Sequence, residues 1–286
     1  MSTVRARDVA RDVFSRHAAS YRSRSEDVLA RGGDGGRLAA LELLDLRPGM
    51  RVLDVACGPG TITFAILDRV APSGRVVAVD LAAGMLELAG AEAERRQAEG
   101  ISFVLADLAS LGISDGSFDA VYSAHGLHFA PDLLATLTEF ARVLRPNGRI
   151  AASFPAMERK ADHPIRVLDE LVVRRLGPAK EMADTRQTRE ILDDPDRLRT
   201  IAARSGLTDV EITRVEQSID WPDADVLVSQ AMMCWWASAS RLEQLEPPER
   251  QSLLDEAAAT IRRHYGSGSL SIPEVNRVLS ARTVTP

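Results

Sequence analysis

Residues 51–60 read Arg51-Val52-Leu53-Asp54-Val55-Ala56-Cys57-Gly58-Pro59-Gly60. Val52-Leu53 and Val55-Ala56 form an apolar run, the pattern of a strand buried in a parallel sheet. Cys57-Gly58-Pro59-Gly60 ends the run, and Thr61-Ile62-Thr63-Phe64-Ala65-Ile66-Leu67 opens an apolar helix. A strand, a glycine turn and a helix in this order build a nucleotide-binding crevice, because glycine admits a ligand where a Cβ would clash. A dinucleotide fingerprint would carry a third glycine where Thr63 stands. Asp54, inside the strand, would also repel phosphate oxygens and suits a cationic ligand. The stretch therefore predicts a site for a nucleoside with a positive group and no phosphate.

Working outward, Val76-Val77-Ala78-Val79-Asp80 reads as a second strand. Its terminal acid lies twenty positions past Gly60, the spacing expected of a ribose-binding carboxylate. Leu81-Ala82-Ala83-Gly84-Met85-Leu86 turns into a helix, and Phe103-Val104-Leu105-Ala106-Asp107-Leu108 follows as a third strand. Phe118-Asp119-Ala120-Val121-Tyr122-Ser123 is the fourth, and Leu144-Arg145-Pro146-Asn147-Gly148-Arg149-Ile150 turns into the fifth. Taken in order, these segments resemble the motifs of the class I S-adenosylmethionine-dependent methyltransferases. The resemblance covers roughly residues 14–154 and points to the ubiquinone/menaquinone-type small-molecule C-methyltransferases.

That resemblance implies an α/β fold: a Rossmann-like, doubly wound, seven-stranded sheet with an N-terminal helical lid and a helical cap. It implies S-adenosyl-L-methionine as cofactor and a small, largely apolar acceptor in specialised metabolism. Carbon is favoured over oxygen or nitrogen as the acceptor atom. A cofactor-binding protein that does not methylate, a cyclase or a structural partner, is the alternative from another class.

The resemblance also assigns roles. Asp54 would meet the methionyl part, unless it caps the following helix or braces the loop. Backbone groups of Ala56, Gly58 and Gly60 would line the chain and ribose. Asp80 would take the ribose hydroxyls, Asp107 the adenine amino group, and Leu81, Met85 and Leu108 the adenine faces. Ser123 and His125 would lie beneath the methionyl side, and Tyr21 would close over the cofactor from the N-terminal segment. His125 and His128 follow the fourth strand and are the natural general bases near neutral pH, with packing as the alternative role. His163 and Glu158 reach toward substrate from the early cap, and His17 from the lid, whereas His264 reads as surface. Cys57 reads as a small loop filler. The five histidines show no metal-ligand spacing, so no metal is expected.

A net charge of −6 over 286 residues argues against a nucleic-acid surface. No apolar run reaches membrane-spanning length, the first residues lack a signal peptide's apolar stretch, and two cysteines make no disulfide framework. A soluble, cytoplasmic protein is expected, with a small-molecule partner and a homo-oligomer left open.

Periodicity predicts one helix over 4–31, a flexible break at Gly32-Gly33-Asp34-Gly35-Gly36 serving as hinge, and a second helix over about 37–45. Strands and helices alternate to Phe154. Residues 155–200 read as helical and charged, 210–215 as a strand, 223–264 as helical and 275–282 as the last strand. The division expected is a lid over 1–48, a cofactor-binding core over 49–154, and cap segments over 155–286 that include two late strands paired as an antiparallel hairpin. Within the cap, Ala231-Met232-Met233-Cys234-Trp235-Trp236-Ala237 would line an apolar pocket or form the cap's own core or an oligomer contact. Arg174-Arg175 and the run from Arg186 to Arg189 are basic spots for a phosphate or carboxylate, or ordinary solvated faces.

Overall fold

The computed structural model describes residues 6–156, 163–178, 185–234 and 241–284. Five parallel strands carry the first half of the chain: β1 (Arg51–Val55), β2 (Arg75–Asp80), β3 (Ile101–Leu105), β4 (Phe118–Ala124) and β5 (Leu144–Pro155). β6 (Leu207–Trp221) and β7 (Leu270–Thr283) complete a seven-stranded sheet of order β3-β2-β1-β4-β5-β7-β6, with β7 antiparallel to both neighbours. The doubly wound seven-stranded expectation holds. The strand order reverses between β1 and β4, so the loops leaving those strands diverge and open a crevice at their carboxyl ends.

Period-two alternation decides which face each side chain serves. Val52, Val76, Ala120 and Tyr122 pack with Leu41, Leu44, Ile66 and Val70 on one side of the sheet. Leu53, Val55, Val79 and Val121 pack with Leu127, Leu137 and Phe140 on the other. The helices that supply these layers include α3 (Gly35–Leu43), α4 (Thr63–Val70) and α6 (Leu133–Val143), with α5 (Ala83–Arg95) following β2. α6 begins where the Asp132 carboxylate accepts the Ala135 amide at 3.0 Å, the usual way a short acid satisfies an orphan N–H. Its Leu133, Leu137 and Phe140 then fall at helical spacing on the buried face.

The N-terminal segment is two helices, not the single one expected. α1 (Ala6–Arg16) and α2 (Ala18–Ala30) meet at His17, whose φ of −103° and ψ of 15° leave the helical region. No glycine or proline marks that corner, so sequence punctuation does not reveal it. The glycine stretch after α2 is closely packed at Gly33, Gly35 and Gly36. A Cβ on Gly33 would come within 2.4 Å of Val28 Cγ1, and one on Gly36 within 2.6 Å of Asn276 Cβ. Gly33 thus lets the chain fold back on Val28 of α2, and Gly36 lets α3, which starts at Gly35, pack against the Asn276 side chain.

Beyond β5 come α7 (Pro164–Leu176), α8 (Arg186–Leu192) and α9 (Pro195–Arg204), then α10 (Ala224–Cys234) and α11 (Pro247–Tyr265) between β6 and β7. The two late strands do pair antiparallel, but this helical insertion separates them in the chain, so they are not a hairpin. They are also longer than expected. β5 pairs with β7 only as far as Pro155 opposite Asn276, while β6 and β7 stay paired out to Trp221 opposite Leu270. The surplus is a two-stranded ribbon that runs past the end of β5. Its Ile219, Trp221, Leu270 and Ile272 join Leu168, Leu227 and Leu253 in a separate core that builds the cap. Of the soft stretch at 231–237, residues 231–234 end α10 and the side chains lie outside the described residues, as does Glu158. Among the described residues, no helix is long and apolar enough to cross a membrane.

Candidate active site

The turn after β1 is held open by three left-handed residues: Ala56 at φ 59°, Gly58 at 56° and Gly60 at 84°. It is sewn to β2, since the Cys57 amide donates to Val79 O at 3.0 Å and the Gly58 amide to Asp80 Oδ2 at 2.8 Å. The other Asp80 oxygen accepts the Ala82 amide at 2.8 Å. Burial pushes the Asp80 carboxyl up, and the amides of Ala82 and Gly58 work against that shift. Asp80 lines the larger cavity while its carboxylate also holds the backbone of the turn. Gly60 lines neither of the site's two cavities. It lies below the turn, where a Cβ would meet Phe64 Cε2 at 3.0 Å, and its role is to shape the turn.

Two cavities meet at Tyr21, which lines both. The smaller is bounded by Arg37, Asp54, Cys57 and Tyr122. Asp54 is buried and accepts the Thr63 hydroxyl at 2.6 Å, so it braces the first residue of α4 as well as facing the cavity. Burial raises its carboxyl to about 7; the Thr63 bond opposes this, the Asp80 charge adds to it and Arg37 opposes it. Arg37 pairs with Asp34 at 2.8 Å and donates to the Tyr21 hydroxyl at 3.1 Å, while Tyr122 donates to the Arg37 carbonyl at 3.1 Å. Burial also pushes the Cys57 thiol up, which keeps it a neutral filler.

The larger cavity is walled by Phe14, Leu81, Met85, Leu108 and Phe129, with Asp80 and Asp107 as its acids. The rings of Phe14 and Tyr21 meet edge to face at 5.5 Å, and those of Phe14 and Phe129 at 5.6 Å, so α1 and α2 roof the cavity with aromatic edges. Asp107 is held by Arg7 Nη1 at 3.0 Å and accepts the Ala109 amide at 2.9 Å.

His125 stands on the same wall. Its φ of 57° is left-handed, an uncommon conformation for a residue with a side chain, fixed by its amide donating to Ser153 O at 2.8 Å. Burial, with the Arg37 and His128 charges, holds its imidazole well below the usual histidine range, against a hydrogen bond with Asn276. His125 is thus a neutral ring near pH 7.

The structure brings together Tyr21, Asp54, Ala56, Gly58, Asp80, Leu81, Met85, Asp107, Leu108 and His125 around the two cavities. It does not bring Ser123, His128 or His163 onto those walls. Ser123 is buried beneath Gly126, where a Cβ would come within 2.9 Å of its hydroxyl. The His128 ring packs against Phe129 at 4.1 Å. His163 caps α7, accepting the Ile165 amide at 3.2 Å, and lies 3.6 Å from Glu274. His17 pairs with Glu243, and His264 is exposed in the last turn of α11. Arg7, Arg37, Phe129 and Asn276 escape the sequence because they join the site through distant partners: Asp107 for Arg7, Tyr21 and Tyr122 for Arg37, Phe14 for Phe129 and His125 for Asn276.

The donor set fits S-adenosylmethionine. Asp54 and Arg37 offer an acid and a base to the two ends of an amino acid, Asp80 an acceptor to a diol, and Leu81, Met85 and Leu108 an apolar slot to a purine.

Residues 52–148 match the sequence family described as a methyltransferase domain. The chain is 30% identical over 242 residues to a nocamycin O-methyltransferase of Saccharothrix syringae, covering 81% of this chain and 84% of that protein. It is 32% identical to a demethylmenaquinone methyltransferase of Lactococcus lactis over 49% of this chain and 55% of the relative. A phosphoethanolamine N-methyltransferase of Haemonchus contortus, solved with S-adenosylhomocysteine, superposes with a TM-score of 0.56 at 15% identity, over 89% of this chain and 54% of that one. The order of the sheet, the crevice at its switch point and these relatives together place the chain in the class I S-adenosylmethionine-dependent methyltransferases, with S-adenosylmethionine as its cofactor.

Proposed function

We propose that this methyltransferase acts on an oxygen of a small organic metabolite, in specialised biosynthesis. The observation that carries the reading is His125, a neutral imidazole on the wall of the larger cavity, held by Asn276. A neutral ring on this wall can accept the proton that a hydroxyl gives up on methylation, and the Asn276 hydrogen bond, which raises the imidazole, favours that transfer. The likeness to the nocamycin enzyme supports oxygen over carbon. It spans 242 residues, more than residues 1–154 hold, so it reaches into the cap that would enclose an acceptor. The menaquinone-type likeness supports a carbon acceptor, but over only 49% of the chain. A net charge of −6 favours a small molecule over nucleic acid.

S-adenosylmethionine supplies, when bound, a methyl group already activated on a sulfonium sulfur. The chain's own residues then align and protect. Asp80 holds the ribose hydroxyls, with Leu81, Met85 and Leu108 against the adenine and Asp107 at its amino group. Asp54 and Arg37 hold the methionyl ammonium and carboxylate. Tyr21, Phe14 and Phe129 close the roof and exclude water. His125 would accept the acceptor's proton: the O–H and sulfonium S–CH₃ bonds are exchanged for O–CH₃ and an imidazolium N–H, with a neutral thioether left behind and the proton passing from the imidazolium to solvent.

The test is turnover with methyl-labelled cofactor and a panel of phenols and organic acids, the product being read by mass and NMR. An O-methyl product, and a His125→Gln variant slowed about 10²–10⁴-fold with S-adenosylhomocysteine affinity kept, are expected. A C-methyl product, or full rate in the variant, would overturn it.

A further inference from the structure

β6 is an outer strand of the sheet and pairs with β7 alone, so one edge of its backbone has no partner among the described residues. The opposite outer strand, β3, has 5 residues, whereas β6 has 15. Folds blunt a free edge by shortening it, bulging it, or placing proline or lysine on it. The stretch Leu207–Trp221 holds no proline, glycine or lysine and is rich in β-branched residues, among them Val210, Ile212, Thr213, Val215 and Ile219. Its one register shift lies at the Thr208/Glu211 end, and from Glu211 to Trp221 the pairing is regular. Glu211, Thr213, Arg214, Glu216, Ser218 and Asp220 are exposed along that regular part. A long, straight, soluble edge of this kind is a template for one more strand.

The charges on this edge are complementary to themselves. When two copies of β6 pair antiparallel about a two-fold axis at Val215, Arg214 stands opposite the partner's Glu216, and Glu216 opposite the partner's Arg214. Thr213 then faces the partner's Gln217, Ile212 the partner's Ser218, and Glu211 the partner's Ile219, so no like charges meet. An axis one residue away, at Arg214 or at Glu216, would set that charge against its own copy, a destabilising rung. Arg214 and Glu216 are exposed, at 49% and 66%, and pair with each other along their own strand, so both are free to turn across the axis. Val215 is also the β6 residue opposite Asn276, which places the axis one strand away from the residue bonded to His125.

We propose that β6 is a dimerisation edge: a second copy of this chain adds its own β6 antiparallel about Val215, joining the two sheets into one. The interface is isologous, with the same residues contributed by both copies. Main-chain hydrogen bonds along the edge hold the two copies together, and the Arg214–Glu216 rungs fix the register.

The test is sedimentation equilibrium of the full chain from about 1 to 100 µM, where a monomer–dimer equilibrium is expected. Arg214→Glu and Glu216→Arg each put like charges on both rungs, and each alone should weaken the dimer about tenfold or more. Mixed in equal amounts, the two variants should associate with each other as the unsubstituted chain does, because every like pair becomes an opposite pair. The double variant Arg214→Glu/Glu216→Arg should dimerise by itself for the same reason. All of them should keep their circular dichroism and their S-adenosylhomocysteine affinity, since neither residue lines a cavity of the site. A chain that stays monomeric throughout the range would overturn the proposal. So would a dimer that both single variants leave intact, which would place the interface elsewhere on the molecule. Single variants that dissociate but stay apart when mixed would show that the two charges do not face each other, and the register about Val215 would fall.

Discussion

Arg7 on α1 reaches 100 residues along the chain to Asp107 past β3, with Nη1 3.0 Å from Oδ2. This pair ties the lid to the floor of the larger cavity and occupies the acid proposed for the adenine amino group. Both side chains are part-exposed, at 37% and 22%, so the pair contributes at most about 1 kcal/mol. Arg7→Ala should therefore release S-adenosylhomocysteine about two- to fivefold faster in stopped flow, with added salt having less effect on the rate than in the unsubstituted protein. An unchanged rate would mean that the lid is held by its aromatic contacts alone.

Asp54 gives a pH dependence with a definite sign. Its carboxyl is raised from 3.8 to about 7 in the ligand-free protein, so the folded state holds a proton that the unfolded chain has lost. Stability from this group is complete below about pH 4 and falls as pH rises toward 7. Binding of the cofactor's ammonium requires the ionised form, so S-adenosylhomocysteine should bind more tightly as pH rises to 7 and should release a proton at pH 6. Calorimetry in buffers of different ionisation enthalpy measures that proton, and Asp54→Asn should abolish the release.

Asp80 has two tasks. It accepts the amides of Gly58 and Ala82, and it faces the cavity. Asp80→Ala should lower the unfolding free energy by about 1–3 kcal/mol, because two buried N–H groups lose their acceptor. It should also weaken S-adenosylhomocysteine by about a hundredfold or more, if the ribose bonds are each worth about 1.5–3 kcal/mol. A thermal melt and a titration on the same sample separate the two losses.

Gly36 reports on His125 from the opposite side. A Cβ there would come within 2.6 Å of Asn276 Cβ, and Asn276 is bonded to His125. Gly36→Ala should displace Asn276, cost about 1–3 kcal/mol of stability through overpacking, and lower kcat with little change in cofactor affinity. Asn276→Ala should remove the bond that raises the imidazole, so the acid limb of the kcat/KM profile should move to lower pH. A limb that stays in place would show that His125 does not set it.

The sequence made the sheet legible from β1 outward, because strands buried on both faces are written as contiguous apolar runs and the glycine turn fixes its own neighbours. Asp80 stands at the end of β2 at the spacing expected of it, whereas Met85, Asp107 and Leu108 came from the family resemblance; all four line the larger cavity. What stayed hidden is long-range. Arg37 is an ordinary helix residue until Asp34, Tyr21 and Tyr122 close around it, and Arg7 has no local relation to Asp107. β6 showed only its middle, since most of its residues are exposed or half-buried and carry little apolar signal. Ser123 ends up beneath Gly126 and His128 against Phe129, because the chain folds back over the end of β4 at the left-handed His125.

The ribbon formed by β6 and β7 couples two parts of the enzyme that would otherwise vary independently. The backbone of β7 runs unbroken from Thr283, within the sheet, to Leu270, in the cap, and Asn276 sits where it leaves β5 behind. A cap redesigned for another acceptor thus inherits a stiff lever whose fulcrum is the residue holding His125. A substitution in the cap that shifts this ribbon would also shift Asn276 and its hydrogen bond to His125, so the residues around an acceptor and the ring proposed as its base would change together.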